Sequence, residues 1–238
     1  MLICLISGCG CNKISEENYQ GAVSTFKNTD GLSFSRLEII RKKGETTYER
    51  KKTDAKYVFD SGKNVKFMQY AKTEGEGNNS GGVSIKKTTK YYYNIDDSYF
   101  YVHSIVGESE LNRYKEVASS YNEKFNVNVC DDIDKDCLLL VSTNLAPVFN
   151  LNEVSDFSIN DDGVATFNAI CPSFEHCSGN SQVLEYVVTL DDDGNIGFIE
   201  YEIENGDLIY SIKYSFDGYG SNNVSVNFPS DLESYIKK

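Results

Sequence analysis

Apolar and polar residues alternate along most of the chain, which is the pattern of β-strands that bury one face. Turn-forming stretches such as Gly44, Ser61-Gly62 and Asn205-Gly206-Asp207 separate the alternating runs. The pattern predicts two blocks of antiparallel strands. The first block comprises FSRLEIIRK, TTYERKK, KYVFDS, NVKFMQYA, VSIKKTTKYYYNI and SYFYVHSIV, and the second comprises DFSIND, GVATFNAI, QVLEYVVTL, NIGFIEYEIEN, DLIYSIKYSF and NVSVNF.

Two segments between the blocks break this alternation and predict helices. In residues 108–124 the apolar residues recur at three- and four-residue steps, as on one face of a helix. The segment CLLLVSTNLAPVFNL predicts a second helix that ends near Ala146, because Pro147 disfavours the helical conformation in the residue before it. A short helix or lead-in is predicted for residues 18–30. This order of elements indicates an α+β domain with one sheet or a partly closed barrel.

Composition and charge narrow the class of protein. Hydrophobic residues make up 40% and charged residues 25% of the 238, as in an ordinary folded domain, and the 17 Tyr and 13 Phe favour a β-sheet. The net charge of −13 repels anionic polymers, so no nucleic-acid partner is expected.

The first residues, MLICLISGCGCNK, contain an apolar stretch much shorter than the ~18 residues that span a bilayer. Small residues precede Cys9, as at the cleavage site of a secretory signal. The segment Ile6-Ser7-Gly8-Cys9 resembles the lipobox of bacterial lipoproteins, and the resemblance implies cleavage before Cys9 and acylation of its thiol. The predicted organisation is a signal peptide at 1–8, a lipidated tether at 9–20 and a single domain at 21–238.

This N-terminal segment lacks two features of a typical signal peptide, so alternative interpretations stay open. A signal peptide begins with positive charges and a longer apolar core, which an earlier start codon would supply. The alternative interpretation is a buried N-terminal strand with incidental cysteines.

Two further cysteine pairs favour an oxidising, extracytoplasmic compartment. Cys130 and Cys137 bracket one short loop, and Cys171 and Cys177 bracket another. A bridge across so small a loop stabilises by about 2.5 kcal/mol on the chain-entropy estimate. We favour the pairs 130–137 and 171–177. The alternative is a zinc site that includes His176, although zinc knuckles space their cysteines more closely.

Candidate catalytic chemistry is scarce in the sequence. The chain has 2 His, with His103 in a predicted strand and His176 inside a cysteine loop, and it contains no G-x-S-x-G nucleophile elbow. The run DDDGN alternates oxygen donors like a calcium loop, but a hairpin turn is favoured because the closing Glu is absent. We therefore expect no enzyme activity, catalytic residue, metal or cofactor.

Closely spaced tyrosines in the first block are candidates for a ligand groove, because their rings combine apolar area with a polar tip. The alternative is plain strand alternation, with Tyr on both faces of the sheet. The candidates are Tyr91, Tyr93, Tyr99 and Tyr101.

The C-terminal stretch YSFDGYGSNNVSVNFPSDL combines an aromatic strand, a Tyr-Gly turn, an alternating Val strand and Pro229. It resembles the end of the LolA-like and LppX/LprG-like lipoproteins, and the likeness spans residues 19 to 232. The resemblance implies a strongly curved antiparallel β-sheet, a half-open barrel, wrapped over inserted helices around an apolar cavity.

These features together predict a monomeric extracytoplasmic lipoprotein that binds or carries a lipid or acyl chain. The protein is expected to be anchored to the bacterial cell membrane by its lipid. The alternative is a cell-surface module without a cavity, which binds protein or polysaccharide through exposed Tyr and the loop at 75–82.

Overall fold

The computed structural model describes residues 15–78, 82–94, 99–117, 145–171, 176–177 and 182–237. These form one long antiparallel sheet, which is open rather than closed, and one α-helix, α1 (Glu16–Asn28). The strands are β1 (Gly31–Lys42), β2 (Thr47–Phe59), β3 (Val65–Asn78), β4 (Val83–Asn94), β5 (Tyr99–Val106), β6 (Ser109–Val117), β7 (Val154–Ile159), β8 (Val164–Ile170), β9 (Val183–Leu190), β10 (Ile196–Asn205), β11 (Leu208–Tyr219) and β12 (Ile236–Lys237).

The two strand blocks meet side by side in this sheet. Its order is β12-β6-β5-β4-β3-β2-β1-β11-β10-β9-β8-β7, so β1 of the first block pairs with β11 of the second. All pairs are antiparallel except β12 with β6. The predicted antiparallel blocks are confirmed except at NVSVNF, residues 223–228, which form no strand. The term α+β describes the fold broadly. Wrapping over inserted helices is not seen in the described residues, because their only α-helix precedes the sheet.

Helix α1 forms where its sequence supplies both a start and a buried stripe. The side-chain oxygen of Asn18 accepts a hydrogen bond from the backbone N–H of Ser15 at 2.8 Å, which caps the first turn. Tyr19 and Phe26, two of its buried residues, lie about two turns apart and face the sheet. The Tyr19 hydroxyl donates to the carbonyl of Val148 at 2.8 Å. Since α1 begins at Glu16, only residues 9–15 of the predicted tether precede it.

The helix packs on the half of the sheet formed by the second block. The ring of Phe26 stacks on Phe149 with centroids 4.2 Å apart and meets Phe216 of β11 edge-on. The ring of Tyr19 meets Phe157 of β7 and Phe167 of β8. No helix among the described residues is long and apolar enough to cross a membrane.

The helix predicted at 108–124 is wrong where the structure describes it, because residues 109–117 form β6. The sequence of this segment fits both the helical and the strand periodicity, and its pairing with β5 favours the strand. Gly107, at φ +57°, makes the tight turn that returns the chain onto β5. Tyr114 thereby faces one side of the sheet, while Leu111 stays more than half exposed.

The second predicted helix is described only at its end. Residues 145–153 form two short 3-10 turns, Ala146–Phe149 and Leu151–Glu153, rather than the end of an α-helix. Pro147, Val148 and Phe149 are buried there, beneath α1. The rest of the prediction, in 118–144, lies outside the described residues.

Residues 221–237, called here the C-terminal strap, cross the first block on the side opposite to α1. Its Tyr235 and Phe228 pack against Tyr92 and Tyr101. Arg113 of β6 holds the strap through an ion pair with Asp231 and through its guanidinium, which lies 5.6 Å from the Tyr235 ring centroid.

Substituting Tyr235→Ala is expected to destabilise the fold by about 3 kcal/mol, because this ring is 4% exposed and fills the space over Tyr101. Chemical denaturation measures this loss. The neighbouring Ile236→Ala, at a side chain that is 74% exposed, is the control and should change stability by less than about 0.5 kcal/mol. Equal effects of the two changes would show that the strap does not pack as described.

Candidate functional site

The inner face of the sheet is defined as the side that α1 packs against, and the outer face as the side that the strap covers. Directly paired residues of antiparallel strands point to the same face. Register therefore assigns the inner-facing residues of β2–β6 to transverse rows. Successive rows lie about 7 Å apart along the strands.

Two of these rows are apolar. The first, called the apolar row, is Tyr57, Met68, Tyr93 and Phe100. Its members are all at most 7% exposed. The second, called the tyrosine row, is Ala55, Tyr70, Tyr91, Val102 and Tyr114.

The tyrosine row keeps part of its aromatic surface open. Tyr70, Tyr91 and Tyr114 are only partly buried, although they pack against the core. Burial and the neighbouring Tyr114 and Tyr70 raise the pKa of the Tyr91 hydroxyl, so it stays a neutral hydrogen-bond donor. The row thus offers apolar ring faces with uncharged polar tips.

The next two rows are polar. The hydroxyl row is Thr53, Lys72, Thr89, Ser104 and Asn112. Beyond it, the charged row is Glu38, Lys51, Glu74 and Lys87, whose signs alternate from strand to strand. Along the strands, the inner face therefore changes from apolar to tyrosine, then to hydroxyl, then to charged.

Glu38, in the middle of β1, is the most deeply buried charge of this face, with 2% exposure. Its carboxylate lies 2.6 Å from Arg36, 3.6 Å from Lys51 and 3.5 Å from Nε2 of His176. Burial acting by itself would raise the pKa of Glu38. The nearby His176 imidazole and the charges of Arg36 and Lys51 outweigh the effect of burial and lower that pKa to about 2.

The predicted cysteine pair 171–177 lies next to this carboxylate. The two sulfur atoms are at bonding distance and the Cα atoms are 6.4 Å apart. Between them, His176 adopts a left-handed backbone at φ +55° and stacks on Tyr210 with centroids 4.0 Å apart. The His176 imidazole thus lies over β11 with its Nε2 towards Glu38.

A cleft of about 670 Å³ opens where the charged row ends. Its walls come from the ends of β1, β2, β3 and β11 and from His176. Apolar or aromatic side chains line it at Ile40, Tyr48, Leu208 and Tyr210. Three cations, Arg41, Lys42 and Lys51, and three carboxylates, Glu45, Glu49 and Glu76, also line it.

The four tyrosines predicted as groove candidates divide between the two faces. Tyr91 and Tyr93 face inward, and Tyr93 stacks on Phe100 at 4.9 Å. Tyr99 and Tyr101 face outward with the strap, where Tyr101 meets Tyr235. The structure therefore does not bring the four into one groove, and contact of any of them with a ligand stays a prediction.

The other residues considered from the sequence lie elsewhere in the chain. His103 lies on the outer face, 3.0 Å from Glu110. The run at 191–195 is a hairpin turn, in which Asp191 Oδ1 accepts from the backbone N–H groups of Asp193 and Asn195. The described part of the chain contains no group of three metal-ligating side chains. Cys9, Cys11, Cys130 and Cys137 lie outside the described residues.

Sequence reasoning missed Arg36, Glu38 and Lys51. The signal was nonetheless present, because Leu32, Phe34, Arg36, Glu38 and Ile40 occur at every second position of one strand. A charge that keeps the phase of buried residues is expected to face the core and to need a partner there.

Comparisons with known proteins give weak structural likenesses. No family model and no curated protein matches the chain. The structure resembles LprF from Mycobacterium bovis, with 10% identity, 90% of this chain and 95% of that one covered, and a TM-score of 0.43. It also resembles lipoprotein LppX from Mycobacterium tuberculosis, with 9% identity, 90% and 100% covered, and a TM-score of 0.41.

Glu38 is expected to make stability depend on pH. A folded-state pKa of about 2, against 4.5, corresponds to about 3 kcal/mol that is present above pH 4.5 and lost as the pH falls towards 2. Glu38→Gln should lower stability at pH 7 and flatten the profile between pH 4.5 and 2, as measured by urea denaturation. The control is Glu49→Gln, at an exposed carboxylate of the same face. Profiles of equal slope in the two variants would contradict the assignment.

Proposed function

We propose that this protein binds a lipid or another long-chain amphiphile on the inner face of β2–β6. The observation that carries the proposal is the graded composition of this face. An amphiphile has an apolar end and a polar end, and it gains most from a surface that changes in the same direction.

The partly open tyrosine row is the apolar contact surface in this proposal. Tyr70 and Tyr91 lie with ring centroids 5.9 Å apart, and Tyr114 continues the row beyond Val102. Contact with an alkyl chain would remove further ring surface from water, at roughly 25 cal/mol per Å². A carrier of this kind needs no catalytic residue.

We further propose that the chain is extracytoplasmic and attached to the bacterial cell membrane through a lipid on Cys9. The support is the Ser7-Gly8-Cys9 context and the Cys171–Cys177 pair, because disulfides persist in oxidising compartments. Residues 9–15 would then form the tether, which reaches about 24 Å when fully extended.

Truncating the tyrosine row should weaken binding of an uncharged alkyl probe, pyrene-labelled decanol. We expect Tyr70→Ala and Tyr91→Ala each to raise the Kd about tenfold, since each removes partly buried ring surface worth about 1.4 kcal/mol of binding. The matched control is Tyr99→Ala, because Tyr99 is also partly buried but faces outward. Fluorescence titration measures the three. Absence of probe binding by the unmodified chain would overturn the proposed function.

Lipidation is tested separately by intact-mass measurement of the chain expressed in a bacterium that processes lipoproteins. The expected mass is that of a chain beginning at Cys9 with added acyl groups, and Cys9→Ser should abolish the addition. An unmodified chain that still carries Met1 would contradict the anchor and leave the binding proposal unaffected.

A further inference from the structure

The outer face of the sheet is not covered uniformly. The strap makes its aromatic contacts to β3, β4 and β5, through Phe67, Tyr92 and Tyr101. Along the middle of β2, β1, β11 and β10, the outward side chains are half-buried or exposed. This part of the outer face is therefore open to a partner.

Register arranges these outward side chains in two transverse rows, each running from β2 through β1 and β11 to β10. The first row is Arg50, Ile39, Ser211 and Glu202, and the second is Lys52, Leu37, Lys213 and Glu200. Both rows begin with a cation on β2 and end with a carboxylate on β10. The boundary between β1 and β11 is therefore the midline of a pattern whose two ends have opposite charges.

Such a pattern is complementary to itself under a two-fold rotation. Two copies can pack outer face to outer face, with the axis parallel to the strands at the β1–β11 boundary. The β2 strand of one copy then lies over β10 of the other, and β1 lies over β11. In this arrangement Arg50 faces Glu202 of the second copy, and Lys52 faces Glu200 of the second copy. Each of these contacts occurs twice.

The ion pairs within one copy leave a charge available on each side of the midline. Arg50 on β2 and Glu185 on β9 form no ion pair in the described part of the chain. The remaining charges have exposed partners in their own copy: Lys52 with Asp54 at 2.7 Å, Lys213 with Glu200 at 3.1 Å and Arg41 with Glu202 at 3.4 Å. Exposed ion pairs are weak, and a carboxylate accepts several hydrogen bonds, so Glu200 and Glu202 can each bind a second cation.

The shape and size of this face also suit a second copy. A shallow depression of about 620 Å³ lies over β1, β11, β10 and β9, and Leu37, Ile39 and Val187 give it apolar surface. Six strands, from β3 to β9, are about 29 Å wide, and seven residues of each are about 23 Å long. Their overlap is roughly 650 Å² per copy, slightly below the ~800 Å² of a standard interface, which fits a reversible association.

The same charge pattern disfavours a partner with charges of one sign. An acidic partner would be repelled by the carboxylates of β9 and β10, and a basic partner would be repelled by the cations of β2. A second copy presents the opposite charge at both ends of each row.

We propose that two copies of this chain form a reversible dimer, outer face to outer face, about a two-fold axis along the β1–β11 boundary. This departs from the monomer expected from the sequence, because the sequence does not reveal the register that brings these charges into rows. The inner face stays open in the dimer, so the proposal does not depend on the proposed function.

Sedimentation velocity over a range of concentrations tests the dimer. Every chain is full length and carries Cys9→Ser, so that an acyl chain cannot cause association. We expect the sedimentation coefficient to rise with concentration towards that of two copies. Arg50→Glu and Glu202→Lys should each raise the dimer Kd at least about tenfold, because each places like charges opposite one another twice.

The control for these reversals is Glu17→Lys, at the exposed start of α1, which changes the net charge as much as Glu202→Lys does. It should leave the Kd unchanged. Equal weakening by Glu17→Lys and Glu202→Lys would show that net charge governs association, and it would overturn the proposal. A chain that sediments as one copy up to about 1 mM would overturn it as well.

An equimolar mixture of the Arg50→Glu and Glu202→Lys chains tests the geometry. In a mixed pair, the carboxylate introduced at position 50 faces the ammonium introduced at position 202, and the native Glu202 faces the native Arg50. The mixed pair also has the same total charge as two unmodified chains. We therefore expect the mixture to dimerise with a Kd within about threefold of the unreversed chain.

Reversed chains that remain separate in the mixture would overturn the proposed arrangement. Circular dichroism verifies that each variant is folded. If one of them is not, Lys52→Glu and Glu200→Lys, at the two ends of the second row, provide the same mixing test with the same expected outcome.

Discussion

The pairing of β1 with β11 is the contact on which the remainder of the molecule depends. It joins strands that are far apart in the chain, in a register that runs from Leu32 opposite Tyr219 to Lys42 opposite Leu208. Without it, the two strand blocks would be separate sheets, each with an additional open edge. With it, the inner face is continuous from the α1-covered half to β6, and Tyr210 of β11 comes to lie beside Ile40 of β1.

This junction also contains Glu38, a buried carboxylate whose removal from water is unfavourable unless charged partners surround it. Glu38 lies in β1 with Lys51 opposite it on β2, and its carboxylate needs Arg36 and His176 as well to stay charged in that position. Every one of these partners comes from a different part of the fold: the same strand, the next strand and the cysteine loop. The carboxylate therefore ties His176 to the centre of the sheet, and it fixes the part of the cleft wall that this imidazole provides.

Strand positions followed from the sequence because alternation with a period of two is strong in nearly every segment of this sheet. The sequence of residues 109–117 is compatible with two structures, because Leu111, Tyr114 and Val117 fit a helical spacing, while Asn112, Tyr114 and Glu116 equally fit a strand. Pairing with β5 and contact with the strap decide in favour of the strand, and neither contact is visible locally. The order of the two blocks within one sheet could not be predicted either, because it depends on the long-range β1–β11 pairing.

The two coverings of the sheet lie away from the candidate site on the inner face of the first block. Helix α1 buries the inner face of the second block through Tyr19 and Phe26, and the strap buries the outer face of the first block through Phe228 and Tyr235. On the inner face of the first block, the row next to the polar positions carries tyrosines in place of aliphatic residues. An aliphatic row left partly open would favour association with other apolar surfaces, whereas a tyrosine ring combines apolar area with a polar tip. In the proposed binding function, tyrosine would therefore limit such association in the empty protein while still offering apolar contact to a ligand.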